Sequence, residues 1–277
     1  MKVLGILMAK KDFNENVEAK LYVCVDHKRY KQDGEQLANH LKVEQIRKLE
    51  EVSKNDLVLL YDKEGLSLVG GKLRLQADFN NMLPRVKDDM WQHELIARAA
   101  KIKEGESNLK AMDATAGFGE DSLILAAAGY EVMLYEKDPV IAALLKDCLI
   151  RARKIPEIKD MVMRMKLVEG DSIEAMLNMA ELKKDETKVV ADMPDLIYLD
   201  PMFPERQKSS KIKKKFQLIQ KLERPCFNGE EMVNAALSLN PKKILIKRPM
   251  KAETLGDRTP EFSYKGTSIR YDCFMQK

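Results

Sequence analysis

The feature that most constrains this chain is a regular alternation of apolar strand-like runs and helical stretches from residue 108 onward. In order these are NLKAMDATAG (108–117), a helix over about 120–128, YEVMLYE (130–136) and a helix over about 139–153. MKLVEGD (165–171), a helix over about 172–182 and DLIYLDP (195–201) follow. Parallel strands need long crossover connections, and helices supply them. The alternation therefore predicts an α/β fold, a parallel sheet with helices on both faces. A helix near 229–239 then leads to KKILIKRP (242–249) and SIRYDCFM (268–275), which read as an antiparallel end to the sheet.

Residues 1–83 follow a different pattern and predict a small α+β unit, ahead of a larger domain over 84–277. LYVCV (21–25) and DLVLLYD (56–62) read as strands, and residues 33–51 as one helix. LSLVGGKLRLQADF (66–79) alternates on both sides of Gly70-Gly71, which reads as a hairpin. Past Pro84, Trp91, Leu95, Ala99 and Ile102 fall at helical spacing, with Asp88 and Asp89 suited to the positive N-terminal end of that helix.

Composition narrows the classes of function. No apolar run approaches the ~20 residues a membrane-spanning helix needs, and MKVLGILMAKKDF reads as a first strand, not a leader. Cys24, Cys148, Cys226 and Cys273 are scattered, as are His27, His40 and His93. Neither a disulfide framework nor a metal site is expected, and a reducing cytoplasm fits. The net charge of +4 is mild, but Lys208, Lys211, Lys213, Lys214 and Lys215 crowd one segment. Ile212, Phe216 and Ile219 would face inward from a helix there, leaving the lysines outward, where Lys211 and Lys214 are candidates for phosphate contact.

Four strand ends carry the chemistry. In MDATAGFGEDSLILA (112–126) a strand ends at Asp113, a turn holds Gly117 and Gly119, and a helix follows. Glycines let the backbone turn sharply and approach a ligand, and the helix N-terminus offers N–H groups to it. The next strand ends in Glu136, about 20 residues on, where a carboxylate accepts ribose hydroxyls. The third ends in VEGDS, with Asp171 and Ser172 at its tip. Asp171 is placed to read an adenine, to cap a helix, or both. Nicotinamide dinucleotides and S-adenosylmethionine share this layout. The third glycine of G-x-G-x-x-G is replaced by Ser122, and D-A-T-A-G-x-G resembles motif I of Rossmann-like methyltransferases. Both features favour S-adenosylmethionine, which has no pyrophosphate to cradle. The fourth strand delivers Asp200 to a stiff loop, Pro201-Met202-Phe203-Pro204, which resembles the [DN]-P-P-[FY] loop of enzymes that methylate exocyclic amines of bases. The lone pair of such an amine is delocalised. A carboxylate and a backbone carbonyl that accept its N–H bonds localise and aim it, and Phe203 can stack on the base.

Taken together, DATAGFGEDSLILA, YEKDPVIAALLKD, YLDPMFPERQKS and IKRP resemble the small bacterial methyltransferases that modify the exocyclic N2 of one guanine in 16S ribosomal RNA, the RsmJ family. The resemblance spans roughly residues 56–277. It implies a donor, S-adenosyl-L-methionine, bound near Asp113, Gly117, Gly119, Glu120, Asp121, Glu136, Lys137, Asp171, Ser172 and Asp200. It also implies a guanine against Asp200, Pro201 and Phe203, with RNA facing Lys208, Lys247 and Arg248. A glycine-rich, arginine-containing family segment reads NNMLPRVKDDMWQHE here and keeps Arg85 and Lys87 of its basic character. The family also commonly has a basic residue where Glu120 stands. The competing readings are methylation of another amine (adenine N6 or a protein glutamine), NAD-dependent oxidoreduction, and an RNA-binding module without catalysis.

Overall fold

A computed structural model of the chain describes residues 19–102, 108–184, 193–201, 218, 229–255 and 258–275. Its first sheet has the order β2-β1-β3-β4-β5, built from β1 (Leu21–Val25), β2 (Glu44–Ile46), β3 (Leu57–Asp62), β4 (Gly65–Gly70) and β5 (Leu73–Leu75). The first three strands are parallel, and the β4–β5 hairpin turns at Gly71, whose φ of 58° a glycine adopts without strain.

The helix expected over 33–51 is shorter. α1 (Lys31–Leu41) stops at Lys42, which is left-handed at φ 55°, and the chain then forms β2. The Lys42 and Val43 N–H groups close the helix onto the Ala38 carbonyl. A lysine performs a turn that glycine or asparagine usually makes, so no residue signalled the stop. Lys42→Gly is expected to stabilise the protein by roughly 0.5–1 kcal/mol, read as a rise in thermal midpoint.

Residues 88–102 also depart from expectation. After α2 (Leu83–Val86) comes a 3-10 segment over Lys87–His93, and only Leu95–Ala100 forms an α-helix, α3. Asp88 and Asp89 do not cap a helix; both are left-handed, at φ 50° and 60°. The turn is clamped by Arg85, which donates two hydrogen bonds to Glu94 at 2.8 and 2.7 Å.

The second sheet is the one the alternation predicts. Its order is β11-β12-β10-β9-β6-β7-β8. The strands are β6 (Lys110–Asp113), β7 (Glu131–Glu136), β8 (Met165–Glu169), β9 (Leu196–Leu199), β10 (Lys243–Pro249), β11 (Phe262–Lys265) and β12 (Ile269–Met275). β6 to β10 run parallel, and β12 pairs antiparallel with β10. β11, an edge strand with two exposed residues out of four, escaped the sequence pattern, as did the short α6 (Lys159–Met163).

Alternate strand residues serve opposite faces. Leu196, Tyr198 and Leu245 join one core with α3, α4 (Glu120–Ala127) and α5 (Pro139–Ala152). Ile197, Leu199, Ile244 and Ile246 join another with α7 (Ser172–Lys184) and α8 (Gly229–Leu239). α5 is apolar on two sides. Leu145 and Leu149 face the larger sheet, while Val140 and Leu144 pack with Leu59, Leu66 and Leu68 of the first. Each such leucine contributes roughly 2 kcal/mol by burial, so α5 ties the two sheets together. No helix among the described residues is long and apolar enough to cross a membrane.

Candidate active site

Strand register brings the predicted residues to one edge. Asp113 pairs with Leu134 and Tyr198, Glu136 with Glu169, and Leu199 with Ile246. The tips of β6, β7, β8 and β9 therefore lie on the C-terminal side of one parallel sheet, with Asp200 and Lys247 following the Leu199–Ile246 pair. From β6 the chain winds toward β7 and β8, and from β9 toward β10, so a crevice opens between β6 and β9. In open α/β sheets ligands bind at such a point.

The glycine turn is held from beneath. Asp113 is 1% exposed. It accepts the Thr115 N–H at 3.0 Å and the Ser122 hydroxyl at 2.5 Å. Burial pushes its carboxyl up to about 7. The side chain predicted to meet the donor thus supports the turn, and Ser122, at the place of a third glycine, completes the support. Gly117 and Gly119 are left-handed, at φ 54° and 73°. A Cβ at Gly119 would come within 2.9 Å of Leu145. At Gly117 the nearest atom to such a Cβ is a carbonyl 3.9 Å away. Gly119 is thus required by packing, whereas Gly117 leaves open room for a ligand to come close to the backbone.

Glu136 faces that room. Its carboxylate accepts the N–H groups of Gly117 at 2.9 Å and Asp138 at 2.8 Å, and burial raises its pKa to about 7. A carboxylate has about four acceptor positions, so capacity for ribose hydroxyls remains. At the next tip Asp171 accepts the Ile173 N–H at 2.8 Å, capping α7, and the Lys137 ammonium at 2.6 Å. Burial acts to raise its pKa, but Lys137 and the helix N–H hold it below the usual carboxylate value. Ser172 is buried as the first residue of α7, and Glu120 is exposed at the start of α4.

Beside these lies a cluster the sequence did not announce. Lys247 Nζ sits 2.6 Å from Asp121 Oδ2 and 3.1 Å from Asp200 Oδ2. The Tyr198 hydroxyl donates to Asp121 Oδ2 at 2.6 Å, and the Asp200 N–H donates to Thr115 Oγ1 at 2.7 Å. Burial works against both charges. Even so, Lys247 holds the Asp121 carboxyl below its ordinary value, and the two carboxylates carry Lys247 above its own. Lys247 is thus placed inside the crevice. Period-2 alternation contained the signal, because Lys247 follows Leu245 on the face that carries Tyr198 and α4. Thr115 and Tyr198 act through partners 85 and 77 residues away, which no local pattern reveals.

The remaining candidates are dispersed. Arg85 is engaged by Glu94, and Lys87 is exposed. Arg248 is 6% exposed, with Nε and Nη2 donating to the Glu253 carbonyl. Pro201 is buried. Phe203 and the lysines at 208, 211, 213, 214 and 215 lie outside the described residues, as does the helix expected around them.

This architecture has counterparts among known proteins. The family described as "Putative SAM-dependent methyltransferase" matches residues 42–276. Ribosomal RNA small subunit methyltransferase J of Thioalkalivibrio sulfidiphilus is 36% identical over 225 residues, covering 79% of this chain and 84% of the relative. The protein of the same name from Aeromonas salmonicida is 38% identical over 181 residues, covering 65% and 68%. The crystal structure of a SAM-dependent methyltransferase from Neisseria gonorrhoeae superposes with a TM-score of 0.65 at 25% identity, covering 92% of this chain and 96% of that one.

Proposed function

We propose, because this chain belongs to the ribosomal RNA small subunit methyltransferase J family of S-adenosylmethionine-dependent methyltransferases, that it methylates the exocyclic N2 amine of a guanine in small-subunit ribosomal RNA. The observation that carries this reading is the position of Asp200. It ends β9 at the crevice, its backbone bonded to Thr115 of the glycine turn and its carboxylate to Lys247.

The residues present fit the donor. Gly117 leaves backbone-level space, Glu136 retains acceptor capacity for two vicinal hydroxyls, and Asp171 is the residue assigned to accept from an adenine amine. S-adenosylmethionine, held by Gly117, Glu136 and Asp171, would supply an electrophilic methyl group with a neutral thioether as its leaving group. Asp200 accepts one N–H of the incoming amine and aims its lone pair across the crevice. The same carboxylate can accept the proton that nitrogen releases. The gain is mainly orientation, for which effective molarities are large.

The raised pKa of Glu136 gives a pH dependence. Hydroxyl donors favour the ionised carboxylate, and the folded protein holds this group near 7. Donor affinity is therefore full above about pH 7 and falls below it, by roughly tenfold per unit at the steepest. Calorimetric titrations from pH 5.5 to 8.5 check this, and Glu136→Gln should flatten the profile.

The reaction is tested by nucleoside mass analysis of 16S ribosomal RNA from cells lacking this protein. The account expects one N2-methylguanosine to disappear and to return on complementation with wild type. An unchanged N2-methylguanosine content with a different methylated base missing would reassign the substrate amine.

A further inference from the structure

Lys247 was expected to meet RNA, yet its side chain is only 15% exposed and is enclosed by carboxylates on both sides. An ammonium so placed is poorly available to a phosphate. It is well placed to govern Asp200.

We propose that Lys247 is a positioning residue for the methyl transfer: bridging Asp121 on α4 and Asp200 at the end of β9, it fixes the plane in which the Asp200 carboxylate meets the substrate amine. The proposal rests on the reading of Asp200 given above, and it assigns to Lys247 a role in the reaction in place of a contact with RNA.

The geometry supports it in three ways. The Asp200 backbone is anchored through Thr115, so the remaining freedom of this residue is largely rotation of its side chain. The contact from Lys247 to Oδ2 removes that rotation, and fixing one oxygen fixes the direction of the other. Lys247 is itself held, since Asp121 takes its ammonium at 2.6 Å and Tyr198 steadies the same Asp121 oxygen. Each link lies on a different element (α4, β9, β10), so the arrangement is set by tertiary packing and not by one loop.

Charge points the same way. Among the described residues, Asp113 at the end of β6, Tyr198 on β9, Tyr271 on β12 and Lys247 on β10 bear on Asp200, and Asp121 on α4 shares Lys247 with it. Arg85 bears on the neighbouring Asp121 and Tyr271. Carboxylates and phenols from several elements bear on Asp200, and the Lys247 ammonium is in direct contact with it. Without that ammonium, the nearby acids would favour a protonated Asp200, which accepts a hydrogen bond from an amine less well. Lys247, already protonated, cannot take the proton released by the amine, so that proton leaves from Asp200 to water.

Two measurements on the full chain test this. In carbon NMR of protein labelled at its aspartate carboxyls, with the Asp200 signal assigned by Asp200→Asn, Lys247→Met is expected to raise the Asp200 titration midpoint by at least one pH unit. Lys247→Arg should leave it within half a unit. An unmoved midpoint in folded Lys247→Met overturns the proposal. In assays with small ribosomal subunits at saturating donor, Lys247→Met should lower kcat at least tenfold at pH 7 with donor affinity within threefold, and Lys247→Arg should recover most of the rate. A change confined to the KM for RNA, with kcat intact, would make Lys247 an RNA contact and also overturn it. If Lys247→Met does not fold, the double variant Asp121→Asn/Lys247→Met, which removes the unpaired Asp121 charge, is read by the same criteria. A wild-type protein that leaves ribosomal RNA unmethylated would defeat the substrate reading, while the NMR titration would still decide the role of Lys247.

Discussion

Asp200→Ala is expected to lower kcat for methyl transfer by roughly 100- to 10,000-fold, with donor affinity changed less than about tenfold. The asymmetry follows from where Asp200 stands. It closes the amine side of the crevice, whereas the ribose and adenine contacts assigned to the donor belong to Glu136 and Asp171, two and three strands away in the sheet order. A delocalised amine left without its carboxylate partner must find a reactive orientation by chance. The loss should appear in single-turnover rates with small ribosomal subunits. Alanine leaves the backbone bond to Thr115 intact, since the Asp200 N–H makes it, so the variant is expected to fold. Activity within threefold of wild type would remove Asp200 from the reaction.

Glu136→Ala should have the converse signature, a donor dissociation constant raised roughly 100- to 1,000-fold and a smaller change in kcat at saturating donor. Hydrogen bonds to a charged acceptor contribute about 1.5–3 kcal/mol each, and two ribose hydroxyls are assigned to this carboxylate. Part of the effect also comes from the turn. Glu136 accepts the Gly117 N–H, so its loss relaxes the glycine segment that the donor must approach. Isothermal titration with S-adenosylhomocysteine helps separate the two, because Glu136→Gln keeps one oxygen that can receive the Gly117 N–H while losing the charge and one acceptor. Its dissociation constant should fall between those of wild type and Glu136→Ala.

The larger sheet was legible because its parallel strands carry apolar runs and α4, α5 and α7 each begin soon after a strand ends. Residues 110–136 show this well, with Asp113, the glycine turn and Glu136 following the same logic in space as in sequence. What could not be read were features set by contacts between distant segments. The stop of α1 depends on a lysine in a left-handed turn, and the break at Asp88 and Asp89 on the Arg85–Glu94 pair. The family resemblance placed Lys247 toward RNA, while in the fold its ammonium lies against Asp121 and Asp200. Asp113 was expected near the donor from its place in the D-A-T-A-G-x-G motif, and its bonds to Thr115 and Ser122 were not visible in that pattern. Lys247 and Asp113 are charged residues held inside by partners from another element, and one-dimensional patterning carries no record of such partners.

The claim beneath all of this is that the ends of β6, β7, β8 and β9 form one crevice for donor and amine together. A crystal structure of the protein with S-adenosylhomocysteine tests it most directly. The account predicts both ribose hydroxyls within about 3 Å of the Glu136 carboxylate and the ligand sulfur turned toward Asp200. A ligand bound elsewhere, or one whose sulfur points away from Asp200 with Glu136 still bonded only to its own backbone, would contradict it.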